Sequence, residues 1–207
     1  DPREFDLPAG FKEEHLEDVV EIFNTPLVGH YNWDYTDADT RIKKLYELGK
    51  ELNWNGSIDL DWSNGLKKGE PPIKAELIAR MEGPLAALPE EERLEYMRHD
   101  QAWTLSQFLH GEQGAMLVAS QLVSCAPTYQ AKLYAASQTF DEARHVEVFA
   151  KYLQQIHGIE YPINKNLKSL IDKILSDERW DLKFIGMQII IEGLALAAFQ
   201  TTKETSN

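Results

Sequence analysis

The chain has 207 residues, with 34 acidic against 21 basic side chains and a formal net charge of -13. That balance excludes nucleic acid and an anionic membrane surface as main partners, since both are gripped by clustered Lys and Arg. With 43% hydrophobic and 27% charged residues, the composition is that of a soluble domain with a real core, and the single cysteine, Cys125, excludes an internal disulfide framework.

The N-terminal segment "DPREFDLPAG" has neither the basic nor the apolar region of a signal peptide. With the lone cysteine, this predicts a cytoplasmic protein. Residues 1–35 mix Pro, Gly and aromatics and read as an arm packed on the surface, with room for one short helix. Residues 36–207 read as a helical bundle, because period-2 strand patterns are almost absent. Helical spacing of Ile42, Leu45, Tyr46 and Leu48 predicts a helix over 38–53, capped from Thr36 or Asp37. The turn-rich "WNGSIDLDWSNGLKKGEPP" is a loop, and a helix should follow Pro71 and Pro72 and stop near Pro84 or Leu88. A long helix then starts at Pro89 with acids in its first turn and runs to Cys125. Pro127 restarts the chain into a second long helix over about 128–157, closed by Gly158. A shorter helix covers about 164–177, and a last one begins near Asp181. Its apolar run 184–199, broken by Gln188, Glu192 and two glycines, is too short and too interrupted to make a good membrane span. Long helices with short connections make an antiparallel bundle the expected architecture.

Three of these helices carry a carboxylate where apolar side chains belong. Leu105, Phe108, Leu109, Glu112, Ala115, Met116 and Ala119 share one stripe at i, i+3, i+4, i+7 spacing. Gln138, Glu142, His145, Phe149 and Tyr152 share a second, and Ile185, Gln188, Ile189, Glu192, Ala195, Leu196 and Phe199 a third. Buried carboxylates raise one another's pKa and cannot neutralise each other, and no Lys or Arg lies on the stripes. A divalent cation resolves the conflict, taking carboxylate oxygens and a neutral imidazole as ligands. Mixed ligation of that kind suits iron or manganese better than Ca²⁺. Asp141 is also spaced i, i+4 to His145, so spacing leaves open which acid ligates. His99 reads as a solvated partner of Glu95, and His110 as lying on the wrong side of its helix. His15, His30 and His157 have no carboxylate pattern, Cys125 reads as a small core residue, and the tryptophans read as core and loop anchors.

The residues "GEQ" around Glu112, "DEARH" from Asp141 to His145 and "IEG" around Glu192 resemble the ferritin-like di-iron carboxylate superfamily. The resemblance is to its ribonucleotide-reductase-R2-like branch, with the arylamine N-oxygenases and monooxygenase hydroxylases, and covers roughly 100–205. The segment "LNWNGSIDLDWS" is similar to one that precedes the bundle in relatives. The resemblance implies that Glu112 is a terminal ligand, Glu142 a bridging one, His145 the completion of the first metal's shell and Glu192 a ligand of the second. It implies that Asp141 and Arg144 hydrogen-bond the ligands from behind, Asp141 orienting a histidine across the bundle. The family has a further Glu-x-x-His on a fourth helix that this sequence lacks, which reads as truncation at the C-terminus. Where a stored tyrosyl radical would need Tyr, the chain has Phe149. Where the hydroxylases have Thr, it has Leu196.

The function implied is that of an O₂-dependent di-iron oxidase or oxygenase. Two Fe ions, with Mn possible at one position, would act on O₂ and a small, partly apolar organic substrate. Ala115, Met116, Phe149 and Leu196 would line the pocket or serve as ordinary core. An electron-donor protein is the expected partner and a homodimer a possible assembly, with no nucleic acid or membrane involved. The alternatives are a non-catalytic iron- or manganese-binding protein for storage or detoxification, and a helical interaction module with protonated acids.

Overall fold

The computed structural model describes residues 3–4, 21–36, 40–65 and 70–207, and these are mostly helical. Helix α1 is Arg41–Glu51, α2 is the single turn Ala75–Ile78, and the long pair is α3, Glu90–Cys125, and α4, Tyr129–Tyr152. Helix α5 is Lys165–Ser176. The last rod is continuous: α6, Trp180–Phe184, passes through a π-helical segment, Ile185–Ile191, into α7, Glu192–Thr205. The strands are a two-residue antiparallel pair, β1 (Arg3–Glu4) on β2 (Ile159–Glu160), with Arg3 opposite Glu160.

The punctuation of the sequence explains these boundaries. Glu90, Glu91 and Glu92 fill the first turn of α3, where the helix dipole favours negative charge. The helix stops at Cys125 because Pro127 forces the preceding Ala126 into an extended conformation. Thr128 then caps α4 by accepting from Ala131 N at 3.2 Å. A π turn, Leu153–His157, ends α4, and Gly158 at φ 74° supplies the left-handed residue that closes it. Two boundaries differ from expectation. The cap of α1 is Thr40 and not Thr36, because the Thr36 amide and hydroxyl are both held by Asp34 in a local turn; Asp37 lies outside the described residues. The helix expected after Pro72 is only α2, followed by the 3₁₀ turn Leu85–Ala87. No side chain caps α2, and Gly83 at φ 82° breaks the path ahead of Pro84.

The arm packs where residues 21–36 are described, although they contain no helix. His30 N donates to Ser124 O at 3.0 Å, Asn32 Nδ2 to Pro127 O at 2.9 Å, and Gln130 Nε2 returns a bond to Thr36 O at 2.8 Å. The arm is thereby tied to the α3–α4 turn. The α3–α4 hairpin makes the most extensive contact in the molecule, with α1 against α4 and α5 and α6 against α3. The apolar core sits at one end, around Val118, Leu122, Cys125, Ile171, Ile174, Leu175 and Met187. Gly114 lets α5 approach α3 there, since a Cβ would lie 2.9 Å from Ile171.

The last rod is a different kind of surface. Of the third apolar stripe expected to be core, Ile185, Ile189 and Leu196 are 42%, 56% and 68% exposed, while Gln188, Glu192, Ala195 and Phe199 are half-buried, so the stripe is partly open. Nothing in the described chain packs over that side. The run 184–199 is also the middle of a longer helix: Trp180–Thr205 spans 26 residues and by length and composition alone could cross a membrane.

Candidate metal centre

Glu112 and Ala115 lie one turn apart on α3, and Glu142 and His145 one turn apart on α4; both pairs face the interhelical seam. His145 Nδ1 is 3.1 Å from Glu112 Oε2 and 3.2 Å from Glu142 Oε2. One ligand atom from each of the three lies within 4.8 Å of the others. Glu112 and Glu142 are buried, whereas the His145 side chain is 40% exposed. The trio predicted from helical spacing is therefore brought together.

The electrostatics follow from this crowding. Burial pushes the Glu142 carboxyl up to about 7, opposed by its bond to His145 and reinforced by Glu112 and Glu192. The bonds to Glu112 and then Glu142 pull the His145 imidazole up to about 10 against its own burial. One positive charge is thus shared by two buried acids, and a third acid stands near. Glu192, half-buried, is raised first by burial and then by the charge of Glu112, while His145 lowers it. It feels the trio's charges but lies outside the group whose atoms meet within 4.8 Å. The π-helical segment ends at Ile191, immediately before Glu192, and such segments recur at functional sites.

Residues one turn before these ligands also connect the helices. Gln138 on α4 donates through Nε2 to Gln188 Oε1 in the π segment, four residues before Glu142 and Glu192 respectively. The Gln188 Nε2 is buried without a partner. Tyr134, a further turn back, has its phenol raised by burial and then by Glu142, Glu192 and Asp141. On the opposite side Phe108, Phe149 and Phe199 form an aromatic cluster with centroids 4.8 to 6.0 Å apart. Of the positions expected to line a pocket, Ala115 belongs to the core cluster, Met116 is half-buried and Phe149 is in the aromatic cluster. Leu196 points outward, at 68% exposure.

Asp141 and Arg144 bond to each other, so the partner of Asp141 is its own helix neighbour. Arg144 Nη1 also donates to Trp54 O at 2.7 Å, and its guanidinium lies 4.7 Å from the Trp54 ring centroid. Trp54 in turn lies parallel to His145, centroids 6.2 Å apart and planes 18° apart. From the sequence this tryptophan reads as a core or loop anchor. Its neighbour Arg144, adjacent to a candidate ligand, was the only signal pointing to the contact.

His99, His110 and His157 have other partners. His99 is half-buried, bonded to Tyr161 Oη at 2.8 Å and Glu95 at 3.0 Å, so it joins α3 to the segment after Gly158 instead of facing solvent. His110 Nε2 lies 2.8 Å from Tyr161 O. His157 is buried against Gln101 at 3.1 Å, and burial followed by the charge of Arg98 pushes it down to about 4. Cys125 is buried, and burial raises its thiol. His15 lies outside the described residues. No protein-family model, no curated protein and no solved structure matches the chain.

Proposed function

We propose that Glu112, Glu142, His145 and Glu192 hold two redox-active metal ions, and that the chain is the metal-binding part of an O₂-activating di-iron oxidase or oxygenase of ferritin-like fold. The observation that carries this reading is the meeting of Glu112, Glu142 and His145 within 4.8 Å in a mostly buried seam. The donor set fits iron or manganese: carboxylate oxygens with one imidazole, and no thiolate among them. The atoms that meet here, His145 Nδ1 and two carboxylate oxygens, are those a divalent cation would take. A cation there offsets the like charges that raise Glu142 and Glu192.

Iron, when bound, supplies the one-electron and O₂ chemistry that no side chain has. The chain's own part is to bind, orient and exclude water. Glu112 and Glu142 come from facing helices, and their burial keeps solvent from the reacting region. Glu192, offset from the trio, would hold the second ion. The Phe108, Phe149 and Phe199 rings give the apolar flank that suits a partly apolar organic substrate.

The test is elemental analysis of the protein purified after iron-replete expression, with the expectation of about two metals per chain. Absence of both iron and manganese would overturn the reading. Iron uptake with O₂ consumed only as ferrous ion is added, and no organic product formed, would favour storage over catalysis.

A further inference from the structure

The segment leading into the bundle lies along the solvent side of α4 as a strap. Arg144 holds its first residue by the bond to Trp54 O, at 2.7 Å. Gly56 is buried against Val148, so closely that a Cβ would stand 2.8 Å from Val148 Cγ2. Trp62 donates to Gly56 O at 2.6 Å, and Lys151 lies 4.3 Å from the Trp62 ring centroid. Gly65 approaches Ile156, where a Cβ would come within 2.6 Å. Arg144, Val148 and Lys151 follow one face of α4 at helical spacing. The strap is therefore fixed at successive turns, and its first ring comes to rest beside His145.

That position matters because of how unevenly the trio is covered. Glu112 and Glu142 side chains are 9% and 6% exposed, whereas that of His145 is 40% exposed. The imidazole is the side of the centre that water can reach. The Trp54 ring lies nearly parallel to it, 18° between planes, while Arg144 clamps the indole from its backbone and through its π face. Asp141 holds the same guanidinium, so Arg144 is itself fixed.

We infer that Trp54 is a positioning residue for the metal centre: its ring lies along one face of His145 and fixes the plane of the imidazole that would bind the ion. The inference rests on the metal reading above and adds a part that lies outside the bundle helices. An aromatic ring held in place restricts rotation of the imidazole and obstructs the approach of a chelator or water to the bound ion.

The experiment loads the protein with Co(II) and follows its extraction by excess chelator. Trp54→Ala is expected to release metal about ten-fold faster than wild type, the scale of effect for groups that orient ligands, and Trp54→Phe to release it at nearly the wild-type rate. The difference in tryptophan fluorescence between wild type and Trp54→Phe should be quenched by Co(II), because the indole lies beside the ligand. Equal release from Trp54→Ala and wild type would overturn the inference, as would a Trp54 emission that ignores the ion. If Trp54→Ala does not fold, Arg144→Lys takes its place: it keeps the charge but loses the flat guanidinium that clamps the indole. It too should release metal faster, and wild-type release from it would count against Trp54. Wild-type protein that takes up no Co(II), Mn(II) or Fe(II) would overturn the metal reading itself, and this inference with it.

Discussion

Lys183 and the acids around His145 both bury charge, and they solve the problem differently. Lys183 has no exposed surface, yet its ammonium donates to Ile174 O and Leu175 O, both at 2.7 Å. Those carbonyls close the C-terminal end of α5, where the helix dipole is negative and acceptors are left over. The chain has supplied its own counter-charge. Glu112, Glu142 and Glu192 have only one half-exposed imidazole among them. A buried cation answered by protein dipoles is scaffold; a cluster of buried acids left short of positive charge invites an ion from outside.

The largest expected effect is on the scaffold side. Lys183→Met should lower the stability of the metal-free protein by about 3 kcal/mol, because two carbonyls at the end of α5 lose their shortest donor and keep only Asp177 N at 3.4 Å and Gln121 Nε2 at 3.5 Å. Denaturant unfolding should show that loss equally with and without metal. A loss that metal reverses would mean the two sites are coupled.

Next in size is the pH dependence of the metal-free protein. Glu142 is raised to about 7 from 4.5, so its contribution is present below pH 4.5 and is lost as pH rises through 7. His145 is raised to about 10 from 6.5, so its contribution is present below 6.5 and fades as pH rises towards 10. Both act in the same direction. Thermal melts from pH 5 to pH 9 should show stability falling with rising pH, on the order of 2 kcal/mol from Glu142. Added Mn(II) or Co(II) should flatten the curve, since the ion replaces the protons being lost. A flat curve without metal would remove the contrast with Lys183.

The smallest effect is the sharpest in sign. Glu192→Gln keeps the shape and removes the charge, so it should abolish or weaken metal uptake while leaving the metal-free protein as stable or about 1 kcal/mol more so. A variant that melts clearly lower without metal, yet binds it as wild type does, would make Glu192 scaffold in the manner of Lys183.

The helices that build the centre could be read from the sequence because their signals are local. Pro89 with its acids and Pro127 mark the ends of α3 and the start of α4 within a residue or two, and Gly158 closes the π turn that ends α4. Glu112, Glu142 and His145 stood out because 3.6-residue spacing places them among apolar neighbours. What could not be read depends on contacts distant in the chain. Trp54 reaches His145 across about ninety residues of sequence, and nothing in "LNWNG" shows where its ring lands. Lys183 looks like an ordinary exposed lysine until the end of α5 is placed beside it. The outward turn of Ile189 and Leu196 was hidden too, because periodicity shows that a helix has an apolar face and does not show what covers it.

The π-helical segment Ile185–Ile191 also bears on how this helix can change length. Hydrogen bonds there run i→i+5 instead of i→i+4, so the segment absorbs residues that a plain α-helix would spend on further rotation. Deleting one residue within it lets the rod close into an uninterrupted α-helix at little cost to its own backbone. Because the wider turns carry the extra residue at almost no net rotation, the same deletion leaves Glu192 and the side chains after it at nearly their present angle to α3 and α4. A single codon lost between 185 and 191 would thus leave a sound helix with Glu192 still on the same face. For the same reason, a protein bearing an equivalent acid on a plain helix would align with this chain only through a gap in that stretch.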